Sequence, residues 1–322
     1  MKANILQKRS VRQKIILLGA LLIIFLFFTL QNASFASYEN IMTITLATCI
    51  NGILSLGVTF VILTGGIDLS IGTVMTFSGI ISGIIFNKTN LPIGVCIIIG
   101  LLSGAFCGLI NGFAVTKMHL PPFIATMCMM MITKGLNLII PGIKPVYFTE
   151  AKNYQKIATG DFLGIPGFYN AIFIYFLCAC LAAFIYHRTI IGRYAKSIGS
   201  NENATRLSGV RTDRWKIAVY IICGLFSAIA GLVMSSRLNS AQPQLGAGYE
   251  TEAIAATVIG GTSMSGGLAS IWGSVIGAFI VSTLTNGLRS MAVATEWQTV
   301  LIGIVLALAL FIDQLQNKKA QG

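Results

Sequence analysis

The sequence predicts an all-α, polytopic membrane protein of about ten transmembrane helices, some of them broken or re-entrant, folded as a single transmembrane domain over residues 1–322. Three observations predict it. Hydrophobic residues make up 55% of the chain and charged residues only 10%, well below the roughly 25% usual in soluble domains. Apolar stretches near the length needed to cross a bilayer, about 20 residues, recur from end to end. Most of the Lys and Arg excess lies in connections that flank those stretches, which is how membrane topology is encoded.

The first segment, 15–34, follows Lys8, Arg9, Arg12 and Lys14. Ser34-Phe35-Ala36 resembles a signal-peptide cleavage site, but the apolar run is long for one and further spans follow, so the segment reads as a retained span. The remaining segments are 41–64, 69–86, 92–115, 122–141, 168–187, 215–235, 250–265, 268–288 and 298–315. The eighth is short and interrupted by glycine. Charge parity supports the count. The basic N-terminus, Lys117 with His119, the 188–216 connection and Lys318 with Lys319 all fall on one side, the cytoplasmic side. The long 142–167 connection falls on the other, its lysines partly offset by Glu150 and Asp161. Gly100, Gly104, Gly108 and Gly112 lie along one face of the fourth segment, where they allow close backbone approach; a glycine-lined path is the lesser reading. Gly273 and Gly277 repeat the pattern. All seven cysteines lie inside apolar runs and read as small buried hydrophobes.

Two places interrupt the spans. In the first, Gly65 and Gly66 loosen the helix and Asp68 sits among apolar residues before Ser70. A carboxylate there must face protein, water or a helix N-terminus. Asp68 reads as a cap of the helix beginning near Ser70 or as a structural pair; direct substrate contact and partner or gating contact are the other readings. The second is Gly260, Gly261, Thr262, Ser263, Met264, Ser265, Gly266 and Gly267. Non-helical backbone at membrane depth needs protein or a water-filled cavity to satisfy it, so this break suits the lining of a central pathway. The two breaks share Gly-Gly, then Ser, then Gly, a hint of an internal repeat. Between them the polar stretch 239–250 is external by parity. It reads either as a solvated loop ending in a helix start at Glu250 or as a contact surface for something arriving from outside.

Several classes are excluded. There is no G-x-x-x-x-G-K-[ST], G-x-S-x-G, H-E-x-x-H or Cys/His cluster, so the chain carries no P-loop of its own and no catalytic or metal-binding constellation. The formal net charge of +12 is spread over loops without a basic, aromatic-interleaved helix, which argues against nucleic acid. A pore subunit energised by another protein fits best; an ion-coupled secondary carrier of a small polar solute is the alternative, weakened by the scarcity of intramembrane acids and histidines. The 188–216 connection is too patterned to be a mere linker. It holds Arg188, Arg193, Lys196, Arg206, Arg211, Arg214 and Lys216 against Glu202 and Asp213, around a short helix where Glu202 and Arg206 are spaced to pair.

At 61–72 (VILTGGIDLSIG), 122–126 (PFIAT), 192–209 (GRYAKSIGSNENATRLSG), 238–249 (LNSAQPQLGAGY) and 253–267 (AIAATVIGGTSMSGG) the chain resembles the permease subunit of ribose-type ABC sugar importers, in that family's order and over nearly its whole length. The resemblance implies inward translocation of a monosaccharide, ribose or a related sugar, driven by ATP hydrolysis in a separate subunit. It implies a bacterial plasma (inner) membrane location with both termini cytoplasmic, and a dimer with a second permease copy or paralogue. It also implies a cytoplasmic ATP-binding subunit, an extracytoplasmic sugar-binding protein and surrounding membrane lipids as partners. No cofactor is implied in this chain; ATP and Mg belong to the partner ATPase. The coupling segment would fall on Asn201, Glu202, Ala204, Thr205, Arg206, Leu207 and Gly209, and the GGIDLS signature on 65–70. Asn203 and the stretch Leu268-Ala269-Ser270 depart from the ribose pattern, which leaves other pentoses, hexoses, galactofuranose-like sugars and furanones open.

Overall fold

The computed structural model describes the backbone of residues 2–165 and 167–321 and the side chains of residues 12, 14–165 and 167–311. The side chains of Lys8, Arg9, Lys318 and Lys319, used above for topology, lie outside the described residues. The helices run α1 (Lys2–Gln31), α2 (Tyr38–Leu63), α3 (Ile71–Lys88), α4 (Ile93–Thr116), α5 (Pro122–Ile139), α6 (Lys156–Thr159), α7 (Asn170–Arg188), α8 (Ile190–Ser200), α9 (Glu202–Leu207), α10 (Thr212–Leu238), α11 (Tyr249–Ile259), α12 (Ile271–Ser290) and α13 (Thr295–Gln321). The only strands among the described residues are β1 (Val146–Tyr147) and β2 (Ser240–Ala241), which pair antiparallel. Among the described residues, eight helices are long and apolar enough to cross a membrane. With the half-length α11 and with α13 they account for all ten segments expected from sequence.

Local chemistry sets the helix ends. Ser37 accepts the Asn40 amide at the start of α2, with Glu39 in its first turn, and Ser270 accepts the Gly273 amide at the start of α12. Pro122 opens α5 at a position where a missing N–H costs nothing. Asn239, left-handed at φ 51°, closes α10.

At the centre, α2 and α10 are wrapped by the others. Apolar side chains gain little by leaving lipid for protein, so close backbone approach must hold such helices together. The glycine face of α4 provides it. A Cβ at Gly104 would lie 2.6 Å from the Gly224 carbonyl oxygen, and one at Gly108 would collide with the Tyr220 carbonyl. Gly273 and Gly277 bring α12 onto the backbone of Gly260 and Ala256 in α11. Both glycine faces are packing surfaces. Of the cysteines, five are buried, Cys180 is half-buried and Cys128 is exposed on α5, against the expectation that all seven would be buried.

The ends of the bundle can be told apart. Lys117, just past α4, pairs with Asp213 at the start of α10, so the 188–216 connection and the α4–α5 turn share one end, here the basic end. At the opposite end the 140–169 connection lies over α10. Phe148 donates its amide to the Asn239 carbonyl, and Ser236 Oγ donates to the Tyr154 carbonyl. Phe148 and Tyr154 stack there, with centroids 4.2 Å apart.

The chain enters the bundle interior from both ends. From the basic end residues 64–70 climb inward before α3 begins. From the opposite end residues 242–248 descend until Gly246 rests on Gly72. The stretch 239–250 is therefore neither a solvated loop nor a wholly external surface: Pro243 and Gly246 are buried and Leu245 is half-buried. Glu250, in the first turn of α11, accepts the amide of Gly248, the residue preceding the helix. Asn51, midway along α2, donates to Glu252, which places the start of α11 at mid-depth. The structure thus repeats one unit in the same order but inverted orientation: a full helix (α2 or α10), an ingressing segment (64–70 or 242–248) and a shorter helix starting inside the bundle (α3 or α11). The internal similarity suggested between 65–72 and 260–267 does not follow this repeat, because the second break trails its short helix instead of preceding it.

Candidate functional site

Three layers run from the basic end inward. The outermost is α9. Asn201 opens it, its side chain accepting the Ala204 amide at 2.9 Å. Gly209, at φ 83°, closes it: its amide bonds the Arg206 carbonyl and the Val210 amide bonds the Thr205 carbonyl, a complete Schellman turn. The expected Glu202–Arg206 pair forms at 3.4 Å. It extends into a network, with Arg206 also 3.5 Å from Asp213, Asp213 2.9 Å from Lys117, and Lys216 bonded to Glu202. Each pair is partly exposed and singly worth about 0–1 kcal/mol, but the network fixes the orientation of α9 against α10. Leu207 is left 90% exposed at its tip, while Thr205 is buried.

The next layer joins this segment to both breaks. Gly199, the next-to-last residue of α8, lies against the Leu63 carbonyl and the Gly267 amide, which are themselves hydrogen-bonded at 2.9 Å. A Cβ at Gly266 would sit 2.9 Å from both the Gly199 carbonyl oxygen and the Gly65 nitrogen. A Cβ at Gly267 would meet Ser200 Oγ at 2.7 Å. Tyr186, at the end of α7, donates its hydroxyl to the Ala269 carbonyl at 2.7 Å. Lys196 of α8 stands over the Tyr186 ring, Nζ 3.6 Å from its centroid, and burial lowers its pKa. The structure therefore brings Gly65, Gly266 and Gly267 together beside α8. Gly260 and Gly261 end α11, Gly260 packs on Gly273, and buried Thr262 accepts the Ser270 amide. Ser263 is buried in the same turn. This second break sits near the basic end, under α8.

The innermost layer surrounds Asp68, which is 1% exposed. Its Oδ1 accepts from Ser70 N at 2.9 Å and from Ser70 Oγ at 2.6 Å. Asp68 therefore pairs structurally with Ser70, the residue preceding α3, and does not cap the free amides of the helix itself. Asn111 of α4 donates to Ser70 Oγ at 2.9 Å, and Thr126 of the PFIAT stretch accepts the Leu69 amide at 3.2 Å. Tyr220 packs on Gly66. One turn further, Thr133 and Asn137 of α5 bond the hydroxyl and carbonyl of Thr73. Asn111 and Asn137 escaped the sequence reading. The available signal was a lone amide in each apolar helix, where an unpaired polar group is unfavourable and so implies an interhelical bond.

Comparisons with known proteins give the family. A family model described as branched-chain amino acid transport system / permease component matches residues 40–310. The chain is 39% identical over 310 residues, 96% of this chain and 95% of the relative, to the ribose import permease protein RbsC of Bacillus subtilis (strain 168). It is 35% identical to the fructose import permease protein FrcC of Rhizobium meliloti, covering 91% of this chain and 83% of that one. It is 31% identical to the xylose transport system permease protein XylH of Escherichia coli (strain K12), covering 96% and 93%. With eight apolar membrane-length helices and matches of this extent, the chain belongs to the branched-chain amino acid transport system / permease component family.

Proposed function

We propose that this chain is the membrane-spanning permease subunit of an ABC importer that carries a monosaccharide inward, powered by ATP hydrolysis in a separate, Mg-dependent ATPase subunit. The observation that carries the reading is α9: a helix held by ion pairs on its bundle side that leaves Leu207 90% exposed. A side chain of that kind on a fixed platform is an anchor for a partner. The basic excess of 188–216 supports the reading that this platform, and with it both termini, faces the cytoplasm of a bacterium across its plasma membrane. The sugar class rests on the relatives, which are named for ribose, fructose and xylose. Delivery by an extracytoplasmic binding protein, where selectivity would reside, and pairing with a second permease copy complete the assembly.

The mechanism follows from the three layers. When the ATPase subunits close, α9 and α8 are displaced as one body. Gly199 and Ser200 press on Leu63, Gly266 and Gly267, and Gly266 lies in turn against Gly65, so both breaks shift together. Movement of residues 64–70 is felt at Asp68 and Ser70, where α3, α4 and α5 meet, and the route through the bundle switches from outward to inward access. Glu202→Ala and Leu207→Asp variants test this. Both are expected to fold and reach the membrane. Association with the ATPase and sugar uptake should fall together, by at least about tenfold for Leu207→Asp, the loss typical of a docking anchor. Unchanged association and uptake in both variants would remove α9 from the coupling role.

A further inference from the structure

We propose that the cleft between α3, α5 and residues 243–247 is a waystation that holds one small neutral polyol in transit, through Lys134, Asn137 and Gln244. It deepens the permease reading above and rests on it. The cleft has a volume of about 270 Å³ and is lined by Thr73, Thr76, Lys134, Asn137, Gln244 and Gly246 among others. A second cleft of about 320 Å³ shares Leu138, Pro243 and Gln244 with it and extends past Ile143 and Pro145, giving a route from the end opposite the ATPase platform.

Two observations mark it as a site for a polar solute. Lys134 is exposed on α5 next to Thr133, whose hydroxyl bonds Thr73 near the inner end of α3. A lysine at that depth is unfavourable against lipid and acceptable against a water-filled cleft, so this face of α5 borders the pathway. Asn137 is 1% exposed and lines the cleft. Its Nδ2 donates to the Thr73 carbonyl at 3.0 Å, but its Oδ1 has no hydrogen-bond partner among the described residues. Buried amide oxygens are normally satisfied, so this one is placed for a donor that comes and goes. A hydroxyl donates a hydrogen bond to Asn137 Oδ1 while a neighbouring hydroxyl accepts from Lys134 and Gln244. A carboxylate could serve Lys134 but has no proton for Asn137. No aromatic platform or acidic pair grips the solute, which suits brief occupancy.

The test uses the full chain co-expressed with its ATPase and binding protein, in a Cys128→Ser background, with ribose, xylose and fructose as probes. Gln244→Cys is expected to react with a charged methanethiosulfonate, and the reaction to block uptake; Phe106→Cys, exposed on α4, serves as the comparison and should not react. Lys134→Met should lower the maximal uptake rate about tenfold, the effect of losing one charged donor. The half-saturating sugar concentration, set by the delivering protein, should hold, and Lys134→Arg should restore most of the rate. Wild-type uptake of any probe tests the permease reading by itself, and its absence for all three overturns both readings. With that uptake present, an unreactive Gln244→Cys, or full-rate transport by Lys134→Met, overturns the waystation alone.

Discussion

Replacing Gly199 by alanine probes the contact that ties α8 and α9, the proposed ATPase platform, to both breaks. The added Cβ would collide with the Leu63 carbonyl and the Gly267 amide, both backbone groups that cannot swing aside as a flexible side chain would. Forcing one methyl into such a site costs about 1–3 kcal/mol. Separating the pair also breaks the 2.9 Å hydrogen bond from Gly267 N to Leu63 O, and leaving those groups unpaired costs a further ~1–3 kcal/mol. The sum is about 2–6 kcal/mol. Gly209→Ala is the internal comparison. No atom lies within 4 Å of its Cβ, so only the left-handed backbone at φ 83° resists, at about 1–2 kcal/mol. Thermal melting of the two detergent-solubilised variants, with ATP consumed per sugar transported in membranes, gives both readouts. Gly199→Ala should melt well below Gly209→Ala and use more ATP per sugar. Equal melting with wild-type coupling for Gly199→Ala would refute the reasoning.

The node around Asp68 gives further expectations. Asp68→Ala strips the acceptor from both the amide and the hydroxyl of Ser70 and should destabilise the folded chain by about 2–4 kcal/mol; Asp68→Asn keeps an acceptor oxygen and should cost less than half as much, as read by melting temperature. Asn111→Leu removes the donor to Ser70 Oγ but fills the space, and about 1–2 kcal/mol should be lost. Glu202→Gln removes one charge from the α9 network while leaving its hydrogen-bonding shape. The chain should lose no more than about 1 kcal/mol, whereas the salt dependence of ATPase association should change, measurable by co-purification across a range of NaCl concentrations.

What could be read from the sequence, and what could not, divides along physical lines. Each of the ten apolar segments became a helix because hydropathy over a bilayer's thickness is a long-window property that tolerates local error. The glycine face of α4 was legible because a four-residue repeat has few uses other than close packing, and Gly104 and Gly108 do meet backbone. The Glu202–Arg206 pair was local, so spacing fixed it. The descent of 242–248 into the bundle was hidden. Polar, proline- and glycine-bearing residues look alike whether water or a protein cleft satisfies them, and only tertiary contact between Gly246 and Gly72 tells the two apart. For the same reason the eighth segment was drawn to 265, although α11 ends at Ile259, where Gly260 and Gly261 turn the chain. The roles of Asn111 and Asn137 depend on partners 41 and 64 residues away, beyond the reach of any periodicity.

The most direct test of the account is reconstitution of the chain into sealed proteoliposomes with its ATPase and sugar-binding partners, following labelled ribose against time. Accumulation that requires ATP, stops when hydrolysis is blocked and is indifferent to imposed proton or sodium gradients is the predicted result. Concentrative uptake by this chain alone, powered by an ion gradient with no nucleotide consumed, would contradict it.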